Sequence, residues 1–277
     1  MPPPTSPNGY GAVNGSGRSA TAAGDEEQQL LLNGGGQSPK AGWRKSMTTD
    51  IRRDWTDLVL LVCYIVTGLL DSASISTWGS FVSMQTGNTV YFGLGIAAPH
   101  ESTRWIKSGT SLGFFCIGSV FFSSFHRFFS AKRRWVLCAS FIIQFLLIVG
   151  AALILTFGPE SEDPKESIGW PELVPIALIA FQSCGQAVAS RALKHNALTS
   201  VVLTSIYCDL FSDANLLAAH NVERNRRVAA PVLLLIGAII GGLLAHSSVG
   251  CAGALWVSAA LKFGVVVAWF AWPAEAE

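Results

Sequence analysis

Charged residues are scarce in this chain of 277 residues. Asp, Glu, Lys and Arg make up only 13% of it, half of its residues are apolar, and the formal net charge is +1. A soluble domain carries about 25% charged residues, so this composition argues against a soluble class. The basic residues form short groups beside apolar segments and no single basic face, which excludes a nucleic-acid partner. The composition indicates a polytopic membrane protein with the lipid bilayer as its main partner.

Recognisable catalytic and metal-binding motifs are also missing. The five histidines show no HExxH spacing, the six cysteines show no CxxC spacing, and the chain has no GxSxG elbow, Walker loop or dinucleotide fingerprint. Cysteines scattered through apolar segments are typical of small buried hydrophobes. The sequence therefore predicts that the protein is not an enzyme and has no cofactor and no metal site.

Eight apolar segments are long enough, or nearly so, to cross a bilayer, which requires roughly 20 residues. Only three charged side chains lie within them, Asp71, Asp209 and Lys262. The segments are Leu58–Trp78, Phe81–Ala98, Ser108–Phe125, Trp135–Phe157, Leu173–Ser190, Asn196–Phe211, Val228–Ala245 and Cys251–Trp272.

The number of crossings follows from the basic residues of the loops. Eight crossings would place 12 of them on the cytoplasmic side and 6 outside. If Phe81–Ala98 and Asn196–Phe211 instead return to the side from which they enter, the count becomes 15 against 3. Because Lys and Arg favour cytoplasmic loops, we expect six crossings and a cytosolic N-terminus.

The predicted fold is an all-α transmembrane bundle over residues 54–272. Its halves, 54–157 and 171–272, contain three crossings each and would form an inverted repeat. Residues 1–53, rich in Pro, Gly and Ser, are predicted to form a disordered cytosolic tail, and 273–277 a short C-terminal tail. An acidic dileucine pattern at 26–31 is compatible with sorting, so we expect the plasma membrane or a vacuolar or endosomal membrane.

A run of five uncharged polar residues interrupts the second apolar segment. In hydrocarbon an unpaired polar group costs several kcal/mol, so such a run needs partners in the protein or a watery cavity. Interrupted segments at corresponding places in two halves are a pointer to a transporter's binding site. The alternative is that these groups only cap a broken helix and bond to neighbouring helices. The predicted binding residues are Gln85, Thr86, Gly87, Asn88 and Thr89, with Thr204 and Ser205 in the second half.

The three charged residues within the apolar segments are a second candidate group. Such residues usually face the bundle interior and pair with one another. We expect Lys262 to form an ion pair with Asp71 or with Asp209, acting either as a switch or as a static clamp. Asp209 could instead lie at the cytoplasmic edge, because Ser212 and Asp213 follow it closely.

Two motifs carry a family resemblance over residues 54–272. The stretch Gly68–Ala73, followed by FVSMQTGNTV at 81–90, resembles the YoaK-like family of membrane proteins, a domain of unknown function. The second family motif corresponds to Thr204–Leu210, where Ser205 replaces the usual glycine. The resemblance implies a multi-pass integral membrane protein without an assigned substrate.

The residues favour a secondary transporter or channel-like permease for a small polar solute or ion. Thr86, Gly87, Asn88 and Thr204 would line a site at the membrane midplane, with Asp71 as the coupling carboxylate and Lys262 as its counter-charge. The alternative is a membrane scaffold or assembly factor that transports nothing.

Overall fold

The computed structural model describes residues 47–52, 56–130, 132–159, 161–195, 200–218 and 220–274. Eight helices form the membrane domain within these ranges. They are α1 (Thr56–Trp78), α2 (Gln85–Ala97), α3 (Arg104–Phe129), α4 (Arg134–Phe157), α5 (Trp170–Ala192), α6 (Thr204–Phe211), α7 (Val222–Ala245) and α8 (Gly250–Ala271).

Helix length separates the crossings from the interruptions. α1, α3, α4, α5, α7 and α8 are each long and apolar enough to cross a membrane. α2 has 13 residues and α6 has 8. At 1.5 Å per residue they span about 20 and 12 Å, which is less than the roughly 30 Å of a hydrocarbon core. The prediction of an all-helical bundle with six crossings and two short polar segments is confirmed.

Both short helices begin later than the apolar segments that contain them. The second segment was predicted from Phe81, but α2 begins at Gln85, and the sixth was predicted from Asn196, but α6 begins at Thr204. Phe81, Val82 and Ser83 are not helical, and their backbone N–H groups bond to the side chains of Asn88 and Asp71. Positions 196–199 lie outside the described residues.

One end of the bundle collects most of the basic residues and is called the basic end below. It holds residues 47–52, the start of α1, the α3–α4 and α6–α7 connections, the start of α7, the last turn of α5 with the residues that follow it, and the segment after α8. Four contacts join these segments: the β-bridges Asp50–Arg133 and Ile51–Ala274, the Thr56–His195 hydrogen bond and the Asp57–Arg226 ion pair.

The opposite end carries the α4–α5 connection and the start of α3. Thr103 donates to the carbonyl of Lys165 at 3.1 Å, and Lys107 donates to the same carbonyl at 2.7 Å. Trp256 of α8 donates to Thr156 near the end of α4 at 3.1 Å. The basic groups are thus divided between the two ends as the six-crossing count requires. Which end faces the cytosol stays a prediction.

The helix contacts repeat between the two halves. The contact of α1 with α7 corresponds to that of α5 with α3. The contact of α1 with α8 corresponds to that of α5 with α4, and the contact of α2 with α3 corresponds to that of α6 with α7. α4 and α8 pack on each other across the middle. Exchanging the halves therefore maps one set of helix pairs onto the other. Three crossings in each half give the two copies opposite orientations, as expected for an inverted repeat.

Small residues allow the closest of these contacts. A Cβ atom at Gly237 or Gly241 of α7 would collide with the carbonyl oxygen of Ile65 or of Leu69 on α1. Gly118 of α3 approaches the backbone of α5 in a similar way. The backbones touch directly at these points, which is how helices associate in lipid.

The predicted N-terminal tail is described only at its end. Residues 1–46, including the dileucine pattern, lie outside the described residues, as do residue 53 and positions 275–277. Ile51 is fully buried in a cluster with Cys63, Leu137 and Trp269. Residues 47–52 therefore contact the membrane domain at its basic end.

Candidate functional site

Asp71 of α1 binds the segment that leads into α2. One carboxylate oxygen, Oδ1, accepts hydrogen bonds from the backbone N–H groups of Val82 and Ser83, each at 2.9 Å. The other oxygen accepts from the Ser83 hydroxyl. Because Asp71 lies about two helical turns before the end of α1, these bonds draw the chain back to that depth before α2 begins. Asp71 therefore positions the start of the short helix.

Asn88 forms the second anchor of the same segment. Its Oδ1 accepts from the N–H of Phe81 at 3.0 Å, and its Nδ2 donates to the carbonyl of Phe81 at 2.7 Å. Nδ2 also lies 3.0 Å from Gln85 Oε1 and 3.0 Å from the hydroxyl of Ser111 on α3. Gln85 in turn donates to Ser111 at 3.2 Å. This network satisfies the amides of Gln85 and Asn88 within the protein.

The other three residues of the polar run differ from one another. Gly87 packs under the ring of Phe81, where a Cβ atom would lie 2.8 Å from the ring. Thr89 donates to the carbonyl of Gln85 in its own helix at 2.8 Å. The Thr86 side chain is exposed and lines a cavity. Of the five predicted residues, Thr86 is thus the one whose hydroxyl is best placed for a ligand.

This α2 cavity has a volume of about 150 Å³ and lies between the start of α2, α3, the last turns of α5 and the segment before α6. Both interrupted segments thus reach one cavity. The second segment does so through Val201 and Val202, whereas Thr204 and Ser205 are exposed residues outside this wall. The polar part of the wall consists of Ser83, Gln85, Thr86, Ser119 and Arg191.

A second cavity, the basic-end cavity, has a volume of about 360 Å³ and shares Val188 and Arg191 with the first. Its remaining wall includes His126 and Arg127 of α3. Val188 and Arg191 lie on the α5 face that borders both spaces. The two cavities therefore lie next to each other along α5, towards the basic end.

Lys262 lies in a separate polar cluster in the bundle interior. Its side chain is fully buried, and Nζ donates to Gln186 Oε1 of α5 at 2.7 Å. Gln186 donates in turn to the hydroxyl of Thr67 on α1 at 2.6 Å. The ammonium lies 5.2 Å from the centre of the Phe141 ring. Lys262 therefore ties α8 to α5 and α1.

The predicted ion pairs of Lys262 are not present among the described residues. The Asp71 carboxylate is directed to Val82 and Ser83, while Lys262 binds Gln186 at the level of Thr67. Thr67 is four residues, or about 6 Å, before Asp71 along α1. Asp209 lies on an exposed part of α6 near the basic end, as the alternative interpretation expects.

Sequence reasoning missed three residues that shape the site. Ser83 and Ser111 complete the bonds of Asp71 and Asn88, and Arg191 lines both cavities. Ser83 lies within the quoted motif, so its position was a usable signal. Ser111 gave no signal, because a single small polar residue is common in a crossing helix. Arg191 belongs to a basic cluster, which the sequence analysis used only to predict the topology.

One comparison with known proteins bears on the family. The family model described as "Protein of unknown function (DUF1275)" matches residues 59–268. The chain belongs to the DUF1275 family. The match contains both polar motifs and all but the outermost turns of the bundle, and it agrees with the resemblance read from the sequence. No curated protein and no solved structure matches the chain.

Proposed function

We propose that this DUF1275 protein is a permease, either a secondary transporter or channel-like, for a small polar solute or ion. The observation that carries the proposal is the α2 cavity, because both interrupted segments reach it from the two halves of the inverted repeat. Sites between repeats, next to broken helices, are where secondary transporters bind their substrates. Thr86 and Ser119 supply neutral hydroxyl groups there.

The two halves differ in a way that suits alternating access. Two cavities lie beside α5 and α3 towards the basic end, whereas Gly237 and Gly241 bring the backbones of α1 and α7 into direct contact. In an inverted repeat, transport proceeds when the halves exchange these arrangements. In this mechanism Asp71 holds the start of α2 in place and Lys262 holds the interior together.

The competing function is a membrane scaffold that transports nothing. The internal hydrogen bonds of Asp71 and Asn88 favour it, because these side chains have protein partners and need no ligand. A scaffold does not require the exposed hydroxyl of Thr86 in the cavity wall, whereas a binding site does. Thr86 is therefore the residue that separates the two functions.

The test begins with an untargeted metabolite comparison of cells with and without the protein. The solute that changes most is then measured as uptake into vesicles containing the purified protein. We expect Thr86→Val to reduce uptake while leaving the melting temperature unchanged. Thr89→Val is the matched control, because the Thr89 hydroxyl donates to the Gln85 carbonyl of its own helix. Equal uptake by both variants and the wild type would remove the main support for a permease.

A further inference from the structure

We propose that the solute is a small oxyanion that enters through the basic-end cavity and binds beside Arg191. This inference rests on the proposed permease function and names its substrate class. In the described walls of the two cavities the ionisable side chains with a formal positive charge are Arg127 and Arg191, and no Asp or Glu occurs. A cleft lined by one sign of charge concentrates solutes of the opposite sign.

The positive walls are not simply a result of where basic residues lie in membrane proteins. Acidic residues are present at the same end, where Asp57 pairs with Arg226 at 2.7 Å and Asp213 with Arg227 at 3.4 Å. These carboxylates are paired away from the cavities. Arg191 has no carboxylate partner among the described residues, so its guanidinium is available to a ligand.

His126 adds a buried donor to the basic-end cavity. Its Nε2 lies 3.2 Å from the hydroxyl of Ser140, and that hydroxyl accepts from the Gln144 amide at 3.3 Å. When the Ser140 hydroxyl donates to Nε2, the ring hydrogen of a neutral imidazole lies on Nδ1. His126 is only 4% exposed, and Nδ1 has no partner in the described part of the chain. In that tautomer a residue of the cavity wall carries an N–H without a protein partner, which favours an anion nearby.

The inner wall of the α2 cavity also suits a negative charge. α2 begins there, its N-cap residue Met84 makes no side-chain hydrogen bond, and Thr86 of its first turn faces the cavity. The N–H of Gln85 bonds to the carbonyl of Ser83, and the N–H groups that follow it in the first turn attract anions. The Asp71 carboxylate lies near this helix start, but its oxygens bond to Val82 and Ser83 and it does not line the cavity.

Size and geometry limit the class of anion. The α2 cavity has a volume of about 150 Å³. This space suits an inorganic oxyanion or a short carboxylate. A guanidinium binds two oxygens of a carboxylate or phosphate side by side, which favours oxyanions over halides.

Uptake of labelled solutes into vesicles of neutral lipid tests the proposal. Phosphate and oxalate are the anionic probes, erythritol is the neutral probe and choline is the cationic probe. We expect uptake of at least one anion, reduced about tenfold or more in Arg191→Gln and less in Arg191→Lys, since a lost charge-assisted hydrogen bond has that weight. Lys194→Gln is the matched control, because Lys194 lies at the same end outside both cavities.

Thermal stabilisation of the purified protein by the same probes gives a second readout. We expect phosphate or oxalate to raise the melting temperature of the wild type and of Lys194→Gln but not of Arg191→Gln. Uptake of erythritol or choline without anion uptake would overturn the oxyanion class and leave the permease intact. Stabilisation by an anion without uptake of any probe would retain the anion site and overturn the permease. If neither anion is taken up and neither anion stabilises the protein, the anion site is overturned.

Discussion

Asp71 of α1 and Ser83 of the α1–α2 connection are joined by two hydrogen bonds, one from the backbone N–H of Ser83 and one from its hydroxyl. The carboxylate is only 3% exposed, and it makes a third bond to the N–H of Val82. A buried side chain with these partners fixes the backbone of a re-entrant segment. It is a positioning residue, and its substitution should act first on stability.

Replacement of Asp71 by Ala should therefore destabilise the protein by at least about 2 kcal/mol, because buried donors lose their acceptor. Asp71→Asn should cost less, since an amide oxygen can still accept from both N–H groups. The melting temperature in detergent measures both effects. Asp209→Asn is the control, because Asp209 is exposed. If Asp71→Asn keeps full stability but abolishes transport, the carboxylate has a coupling role instead.

Thr86 and Asn88 are two residues apart in the polar run but should respond differently to substitution. Asn88→Ala removes the partner of the Phe81 backbone and of Ser111, so we expect a loss of about 1–3 kcal/mol and a lower melting temperature. Thr86→Ala removes an exposed hydroxyl and should leave the melting temperature unchanged. An unchanged melting temperature in Asn88→Ala would contradict the anchoring role of this side chain.

The contact of α1 with α7 can be tested with two neighbouring glycines. Gly241→Ala places a methyl group against Leu69 and Ser72 of α1, and overpacking of this kind costs about 1–3 kcal/mol. Gly242 has no atom within 4 Å of the position that a Cβ would occupy, so Gly242→Ala should be neutral or slightly stabilising. Unfolding of both variants in detergent compares them directly. Equal effects would show that the helices do not pack as described.

The sequence was sufficient to predict the six crossings, because apolar length and the distribution of basic residues depend on the bilayer alone. The polar run around Thr86 could also be identified from the sequence, because uncharged polar residues in an apolar segment are costly in a bilayer and therefore stand out. The sequence could not determine the partners of Asp71 and Lys262. Those partners depend on where the chain turns back after α1 and on which face of α5 carries Gln186, and both are set by packing between segments far apart in sequence.

The separation of Asp71 from Lys262 has a measurable consequence. Lys262→Met should be coupled to Gln186→Leu, because Nζ donates to Gln186 Oε1, and a pair in direct contact shows an interaction free energy of about 0.5–3 kcal/mol. Lys262→Met and Asp71→Asn share no partner, so their effects should add within about 0.5 kcal/mol. Two double-mutant cycles measured by unfolding in detergent provide the comparison. Coupling of Lys262 to Asp71 and not to Gln186 would restore the ion pair.

The basic end should face the cytosol, because it contains most of the Lys and Arg residues of the loops. Single cysteines at Lys194 and Ala214 sample this end, and one at Glu162 samples the opposite end, all at exposed positions. The exposed native cysteines Cys116 and Cys208 are first changed to Ser.

In intact cells, a membrane-impermeant maleimide should label Glu162→Cys but neither of the other two. If Glu162 lies in an internal compartment, labelling of sealed cytosol-facing vesicles should give the reverse pattern. Lys194→Cys and Ala214→Cys should always agree, since the α5–α6 and α6–α7 connections lie at the same end when α6 returns without crossing. Opposite labelling of these two positions would mean that α6 crosses the membrane, which its 8 residues are too few to do in this fold.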